Sequence, residues 1–388
     1  MNITELPEAG NFRFCSNNLI CYSSRNVLTC NGSITCKGIR TAKNKKYKGV
    51  IDEEDIVTLS SPLRVTWDLT TKCNLSCRHC YNTSCLTGEG SPPNSLHTIA
   101  EKLADTGFFF VTLSGGEPLM EPQIWTLIQM FNDKKKLVEL ATNGTLITEK
   151  VAKKIKNFNI NSVQISIDGL RETHDYQRGV KGCFDKSLKG AEYLLKEDVP
   201  VIVSTVVWQE NVEEVQPLLE ILLQVGVHGF RATRLISMGR GKTSKLEPLT
   251  RNQIKSLTLH MLDQRGKLQD QIQILLDECI SFLGEKIHEY GLSWSGCPAG
   301  RTECAVDFKG DVYPCVFLTY DEFCMGNLLE SSFDEIWHSE RFVDFRKIER
   351  VCSCEIADFC KGGCPAAAYG TYGDITRKDP YCWRNNHE

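Results

Sequence analysis

At 388 residues, with 41% hydrophobic and 24% charged side chains, the chain can bury more core than one ordinary domain holds, so two or three domains are expected. Lys and Arg number 45 against 49 Asp and Glu, a net charge of −4 with no global basic field, which argues against nucleic acid as the main partner. Residues 1–20 lack a basic start followed by an apolar stretch, and no window reaches the roughly 18 apolar residues of a membrane span, so the chain reads as cytoplasmic, with no membrane partner. Nineteen cysteines in a large chain without a leader point to metal binding or redox chemistry rather than to a disulfide framework.

In chain order, residues 1–60 are polar, rich in Asn, Ser and Thr, and carry short strand-like pieces such as 18–22 and 26–29; they read as a small β appendage. Cys15, Cys21, Cys30 and Cys36 within it fit either a metal site or two hairpins with inward thiols. The lysine runs at 43–48 and 134–136 read as solvated surface. From 61 to 240, apolar β-type runs at 63–69, 108–114, 137–142, 162–167, 199–207 and 229–235 alternate with helical patterns at 96–104, 124–131, 149–155, 187–195 and 212–225. That alternation predicts an α/β fold with a parallel sheet, and six strands fall short of a complete eightfold barrel. The loop Gly239-Arg240-Gly241 closes this zone. A mostly helical linker is expected over 241–295, and 296–388 holds nine of the cysteines.

The run Cys73-Asn74-Leu75-Ser76-Cys77-Arg78-His79-Cys80-Tyr81 follows the first predicted strand. Three thiolates on one tight loop can hold three irons of a cubane and leave the fourth iron without a protein ligand, open to a cofactor or substrate. A barrel gathers its functional groups at this end of its strands. A zinc site, or three buried thiols, is the plainer reading of the spacing alone. The motif Ser114-Gly115-Gly116-Glu117-Pro118 follows the second strand: glycine permits close backbone approach, and the carboxylate offers an acceptor for an ammonium group. Asn143 ends the third strand, Ser166 and Asp168 end the fourth, and Arg178 follows; Asn143 and Asp168, each followed by Gly, also suit plain turns.

The cysteine loop, its terminal aromatic Tyr81 and the Gly-Gly-Glu-Pro run one βα unit later resemble the radical S-adenosylmethionine (AdoMet) superfamily over about 63–235. The resemblance implies a partial (β/α)6 TIM-type barrel with a catalytic [4Fe-4S] cluster on Cys73, Cys77 and Cys80. It also implies AdoMet held near Tyr81, Gly115, Gly116, Glu117, Asn143, Ser166, Asp168 and Arg178. Reductive cleavage of AdoMet would give a 5′-deoxyadenosyl radical that abstracts hydrogen from a substrate. The cofactor does the hard chemistry and the protein places it.

Over 297–382, Cys297, Gly310 with Cys315, and then Cys352, Cys354, Cys360, Cys364 and Cys382 resemble the SPASM domain, which implies two auxiliary [4Fe-4S] clusters and three in all. Carried over, Cys352, Cys354, Cys360 and Cys382 would hold one, and Cys297, Cys315 and Cys364 the other, with Cys304 as candidate fourth ligand. One residue separates Cys352 from Cys354 where the family usually has two. Nine cysteines exceed the four ligands of a single zinc site. The remaining Cys85, Cys183, Cys279 and Cys324 read as small buried hydrophobes.

The resemblance implies a maturase of a ribosomally made peptide, with a precursor peptide as substrate and a flavodoxin- or ferredoxin-type reductant. The first 60 residues are short for a complete leader-recognition domain. A separate leader-peptide recognition protein could supply that function, or the β appendage could pair with the leader as an added strand. Val316 stands where sulfatase maturases carry an aspartate after the cysteine, which demotes that activity. Tetrapyrrole side-chain modification is the alternative, and a non-catalytic iron-sulfur scaffold a further one.

Overall fold

The computed structural model describes residues 59–384, apart from 93 and 295, and ahead of them only the backbone of five short strands. These are β1 (Phe12–Cys15), β2 (Asn18–Ser23), β3 (Asn26–Val27), β4 (Thr35–Arg40) and β5 (Lys46–Val50). They form an antiparallel sheet, β1-β2-β3, and a hairpin, β4-β5. The question of a metal site at Cys15, Cys21, Cys30 and Cys36 lies outside the described residues.

One ten-stranded sheet organises the rest. Its strands are β6 (Arg64–Asp68), β7 (Phe110–Ser114), β8 (Leu137–Thr142), β9 (Ser162–Ser166), β10 (Val201–Val207), β11 (Gly229–Arg234), β12 (Gln273–Leu275), β13 (Glu303–Val306), β14 (Asp311–Tyr313) and β15 (Gly326–Asn327). The order is β12-β11-β10-β9-β8-β7-β6-β13-β14-β15. Every pairing from β12 to β13 is parallel, and the last two are antiparallel. The fold is therefore α/β with the parallel sheet of a partial barrel. The helices between strands are α1 (Ser95–Ala104), α2 (Ile124–Asp133), α3 (Glu149–Asn157), α4 (Arg171–Arg178), α5 (Cys183–Lys196) and α6 (Val215–Val225).

The two-residue period of the strands sorts their side chains onto two faces. Val65, Trp67, Val111, Leu113, Val138, Leu140, Val163, Ile165, Val201, Val203 and Phe230 are fully buried under the helices, where α1, α2 and α5 add Leu103, Leu127 and Leu194. The alternate positions are half-buried and largely polar: Arg64, Thr66, Thr112, Ser114, Glu139, Gln164, Ser166, Ser204, Arg231 and Thr233. Arg64 pairs with Glu139, and both bond the Thr112 hydroxyl at 3.1 Å. One face of the sheet is thus a dry core and the other a hydrogen-bonding surface.

Two elements differ from the expectations. Residues 251–290, expected to be mostly helical, form α8 (Arg251–Lys267), then β12, then a 3-10 stretch (Glu278–Tyr290) kinked at Gly284. Ile272 and Ile274 are buried on either side of exposed Gln273, a strand alternation too short to stand out beside the long helix before it. Helix α4 was not foreseen, because its sequence Arg-Glu-Thr-His-Asp-Tyr-Gln-Arg carries almost no apolar period.

The C-terminal zone is built from β13 to β15 and short helices, among them α9 (Phe333–Trp337), α10 (Glu340–Lys347), α11 (Ala357–Cys360) and α12 (Pro365–Tyr372); α7 (Arg240–Thr243) lies before α8. It joins the barrel through the sheet itself, since β13 pairs in parallel with β6 and the Trp67 indole N–H donates to the Asp307 carbonyl at 3.2 Å. Among the described residues, no helix is long and apolar enough to cross a membrane.

Candidate active site

Beyond β6 the chain forms a loop zipped to itself. The Thr71 amide donates to the Glu89 carbonyl at 2.8 Å, Cys73 to Cys85 at 2.9 Å and Cys85 to Thr71 at 3.1 Å. Cys73, Cys77 and Cys80 lie within that zipper. Two further elements clamp it. The Ser76 and Arg78 amides donate to the carbonyls of Arg178 and Gln177 at the end of α4, at 3.2 and 2.9 Å. From α7, the Arg240 amide donates to Cys80 O at 2.9 Å and its Nε to Cys77 O at 2.8 Å. A Cβ on Gly239, whose φ is +51°, would lie 2.2 Å from Tyr81 O, so the glycine loop at 239–241 acts as a close-fitting backstop.

The three thiols are free, with Cys73 and Cys77 buried and Cys80 half-buried. Burial pushes Cys73 up to about 12 and raises Cys77, so without a cation both stay protonated. N–H groups are turned toward the sulfurs: Leu75 N at 3.4 Å and Asn143 Nδ2 at 3.9 Å from Cys73, and Arg178 Nη1 at 3.6 Å from Cys77. Thiols made costly to ionise by burial, with a guanidinium and amide donors beside them, fit a group that brings its own positive metal. This donor set suits an iron-sulfur cluster bound through three cysteines.

The Gly-Gly-Glu turn packs directly beneath this loop. Gly116 N donates to Thr70 O at 2.6 Å and Glu117 N to Lys72 O at 2.8 Å. A Cβ on Gly115, at φ +127°, would fall 2.5 Å from Thr70 O, and one on Gly116 would fall 2.1 Å from Lys72 O. The glycines are thus required by the cluster loop itself. Glu117 is fully buried and turned toward the strand ends, accepting from Leu119 N at 3.2 Å, Thr142 Oγ1 at 2.7 Å and Asn143 N at 2.9 Å. In this position its carboxylate ties the end of β8 to the turn after β7.

Asp168, also fully buried, lies 2.7 Å from Arg178 Nη2 and 3.6 Å from His79 Nε2, and accepts from Val206 N at 3.0 Å. Arg178 and His79 hold its carboxyl below the usual range against the opposing cost of burial. Burial lowers His79 to about 4, so its ring is neutral near pH 7 and bonds Gln177 on the other side. Asp168 therefore aims Arg178 at the Cys77 sulfur, and Ser166, half-buried two residues earlier, stands on the polar face beside Ser204. Arg178→Met, which strands Asp168, should destabilise the chain by ~3–5 kcal/mol in urea unfolding. The pair's contribution is present above the ordinary carboxyl pKa of about 4 and is lost as pH falls through the lower folded value. In Asp168→Asn that acid-limb slope should flatten.

Tyr81 packs edge-on to Phe317 at 5.3 Å, with its hydroxyl 3.5 Å from Asp68, which burial raises to about 6. Sequence reasoning passed over Asp68, Gln177 and the clamping role of Arg240, and it read Cys183 as a small buried hydrophobe, which the structure bears out. Cys183 packs against Cys73 and Cys77 while its S–H reaches Asp175 Oδ1 at 3.3 Å. It opens α5, ahead of the helical pattern read at 187–195. Of the other cysteines read as buried, Cys279 is buried, while Cys85 and Cys324 are half-buried.

In the C-terminal zone Cys352, Cys354, Cys360 and Cys382 are electrostatic neighbours, although among the described residues no three metal-ligating side chains meet closely enough to hold a metal ion. The Cys352 and Cys354 sulfurs lie 3.6 Å apart, and Cys382 is pushed up to about 12 by burial and by Cys360, Asp379 and Cys354. Cys315 and Cys364 pack in one cluster, and burial followed by the charge of Cys297 raises Cys315. Cys304 sits on the core face of β13 opposite Val65, with Glu303 and Arg346 as its charged neighbours. Glu278 is the acidic group whose charge reaches Cys297, Cys315 and Cys364 alike, and it pairs with Arg234 at 3.1 Å.

Residues 67–222 match the family model of the Radical SAM superfamily, and residues 297–365 match that of SPASM, an iron-sulfur cluster-binding domain. The chain is 33% identical over 347 residues to an AdoMet-dependent heme synthase of Methanosarcina barkeri, covering 84% of this chain and 98% of that protein. It is 32% identical over 345 residues to the mycofactocin maturase MftC of Mycolicibacterium smegmatis, covering 84% and 83%. Among solved structures, Streptococcus suis SuiB bound to S-adenosylmethionine superposes with a TM-score of 0.70 at 18% identity, over 85% of this chain and 79% of that one. Native anSMEcpe with bound AdoMet and a Cp18Cys peptide superposes with a TM-score of 0.67 at 21% identity, over 83% and 94%.

Proposed function

The chain belongs to the radical SAM superfamily and carries a SPASM domain, and on that premise we propose that it is an AdoMet-cleaving enzyme whose substrate is a ribosomally made peptide. The observation that carries the reading is the clamped three-thiol loop at the C-terminal ends of the parallel strands, beside a polar sheet face. When bound, the cluster and AdoMet supply a carbon radical able to take a hydrogen atom from an unactivated position.

This chain's residues do the placing. Cys73, Cys77 and Cys80 hold the metal, and Arg178 and Asn143 direct N–H groups at two of the sulfurs. Gly115 and Gly116 set the floor under the loop, and Glu117 and Asp168 fix the strand ends around it. Hydroxyl and amide side chains on the polar face match the hydrogen-bonding demand of a peptide backbone, and the aromatic pair Tyr81–Phe317 shields one side from water. In this reading AdoMet lies against Tyr81, Gly115, Gly116 and Asn143, with Ser166 as a polar neighbour.

Three [4Fe-4S] clusters are proposed. One auxiliary cluster takes Cys352, Cys354, Cys360 and Cys382, and the other takes Cys297, Cys315 and Cys364, with Glu278 as an acidic neighbour of all three. A flavodoxin- or ferredoxin-type protein supplies electrons, and a separate leader-recognition protein presents the peptide. Modification of an iron tetrapyrrole is the second reading, favoured by the heme synthase relative that aligns over 98% of its length.

Anaerobic incubation with AdoMet, dithionite and a short peptide encoded beside the gene is expected to change the peptide's mass. An unchanged peptide together with a converted iron tetrapyrrole would exchange the two readings, and release of no 5′-deoxyadenosine at all would leave only the scaffold.

A further inference from the structure

A wide groove lies away from the cysteine loop of the barrel. It measures about 1120 Å³, and its lining comes entirely from residues 255–384, with the half-buried Cys352 and Cys354 in its wall. Its charge is at odds with the chain as a whole. Lys255, Lys286, Arg377, Lys378 and Arg384 line it with only Glu355 and Asp374 as acids, in a protein of net charge −4. Arg384 and Glu355 neutralise one another as an ion pair. Asp374 is turned onto the Thr376 amide and hydroxyl, at 2.8 and 2.7 Å. Lys255, Lys286 and Lys378 have no ion pair among the described residues. Val351, 75% exposed, adds an apolar side chain to the same lining.

We propose that this groove is the docking surface of a small acidic electron-carrier protein, which reduces the auxiliary cluster held at Cys352 and Cys354. The proposal rests on the ligand reading given above for that cluster. Unpaired lysines in one lining with an exposed apolar residue attract a partner of opposite charge and give it an apolar contact. The groove also brings the partner next to two of the four cysteines, the arrangement electron transfer needs. A substrate would have to reach the strand ends instead, and none of the groove's lining comes from there. In the step itself one electron leaves the reduced carrier and enters the cluster. The carrier is oxidised and the cluster reduced by that one electron, with no bond made and no proton moved.

The test uses the reconstituted full-length enzyme and a purified flavodoxin. In the triple variant K286E/R377E/K378E, flavodoxin affinity by calorimetry and flavodoxin-driven 5′-deoxyadenosine formation should both fall by about tenfold or more, since each reversal turns steering attraction into repulsion. Dithionite-driven formation should be unchanged, and wild-type affinity should weaken steeply with added salt. Unaltered flavodoxin affinity in the variant overturns the proposal. So does an equal loss in K150E/K153E/K186E, which makes the same charge change on α3 and α5. Iron counting on C352S/C354S checks the underlying ligand reading separately: loss of about four irons per chain supports it, and full iron content overturns both.

Discussion

Replacing Cys77 with alanine is expected to bring 5′-deoxyadenosine formation to background while the chain still folds. The side chain is buried, it lies 3.6 Å from Arg178 Nη1, and its backbone carbonyl remains available to Arg240 Nε at 2.8 Å, so the loop keeps its clamps. What would be lost is one of the three proposed metal ligands, and the neighbouring thiol of Cys183 packs alongside but is engaged with Asp175. Product chromatography after dithionite and AdoMet reads the loss, and an iron assay should fall by about one cluster. Cys183→Ala, by contrast, should retain most of the activity. Undiminished 5′-deoxyadenosine from C77A would falsify the assignment of the catalytic loop.

Gly116→Ala should be nearly as damaging although no reacting group is touched. Its Cβ would lie 2.1 Å from Lys72 O and 2.6 Å from Lys72 C, both backbone atoms of the cluster loop. A flexible side chain could yield, but this backbone is held by Cys85 and Glu89 on its far side. The loop must therefore shift by about an ångström, a displacement that costs on the order of 100-fold when reacting partners have to be aligned. The expected signature is weakened iron binding and slowed AdoMet cleavage with an unchanged far-ultraviolet circular dichroism spectrum. Wild-type kinetics in this variant would show that the loop tolerates the shift.

The parts of this site legible in the sequence are those whose residue type is dictated by short-range chemistry. Cysteine spacing at 73–80 and the doubled glycine at 115–116 are local, and each was found at the end of a strand whose apolar period was also legible. The roles of the polar residues were not, because they depend on contacts far apart in sequence. Glu117 suits an acceptor for a ligand when read alone; only the fold reveals that it also accepts from Thr142 and Asn143 and so ties two strand ends together. Asp168 and Arg178 were singled out separately, but that one orients the other toward Cys77 depends on α4, a helix with no apolar stripe to announce it. Cys304 was grouped with its sequence neighbours, whereas strand alternation on β13 turns it to the core. Glu278 had no signal at all, since it reaches Cys297, Cys315 and Cys364 from a segment expected to be plain helix.

The parallel pairing of β13 with β6 carries a consequence for how the enzyme is made. On the ribosome, the strand that launches the iron loop emerges early, yet the neighbour that covers its outer edge is synthesised more than two hundred residues later, on the order of tens of seconds. Until then that edge offers open amides and carbonyls to any passing strand. Delivery of iron to the Cys73 loop therefore belongs after release of the nearly complete polypeptide, and chains cut short ahead of β13 should precipitate rather than accept a cluster.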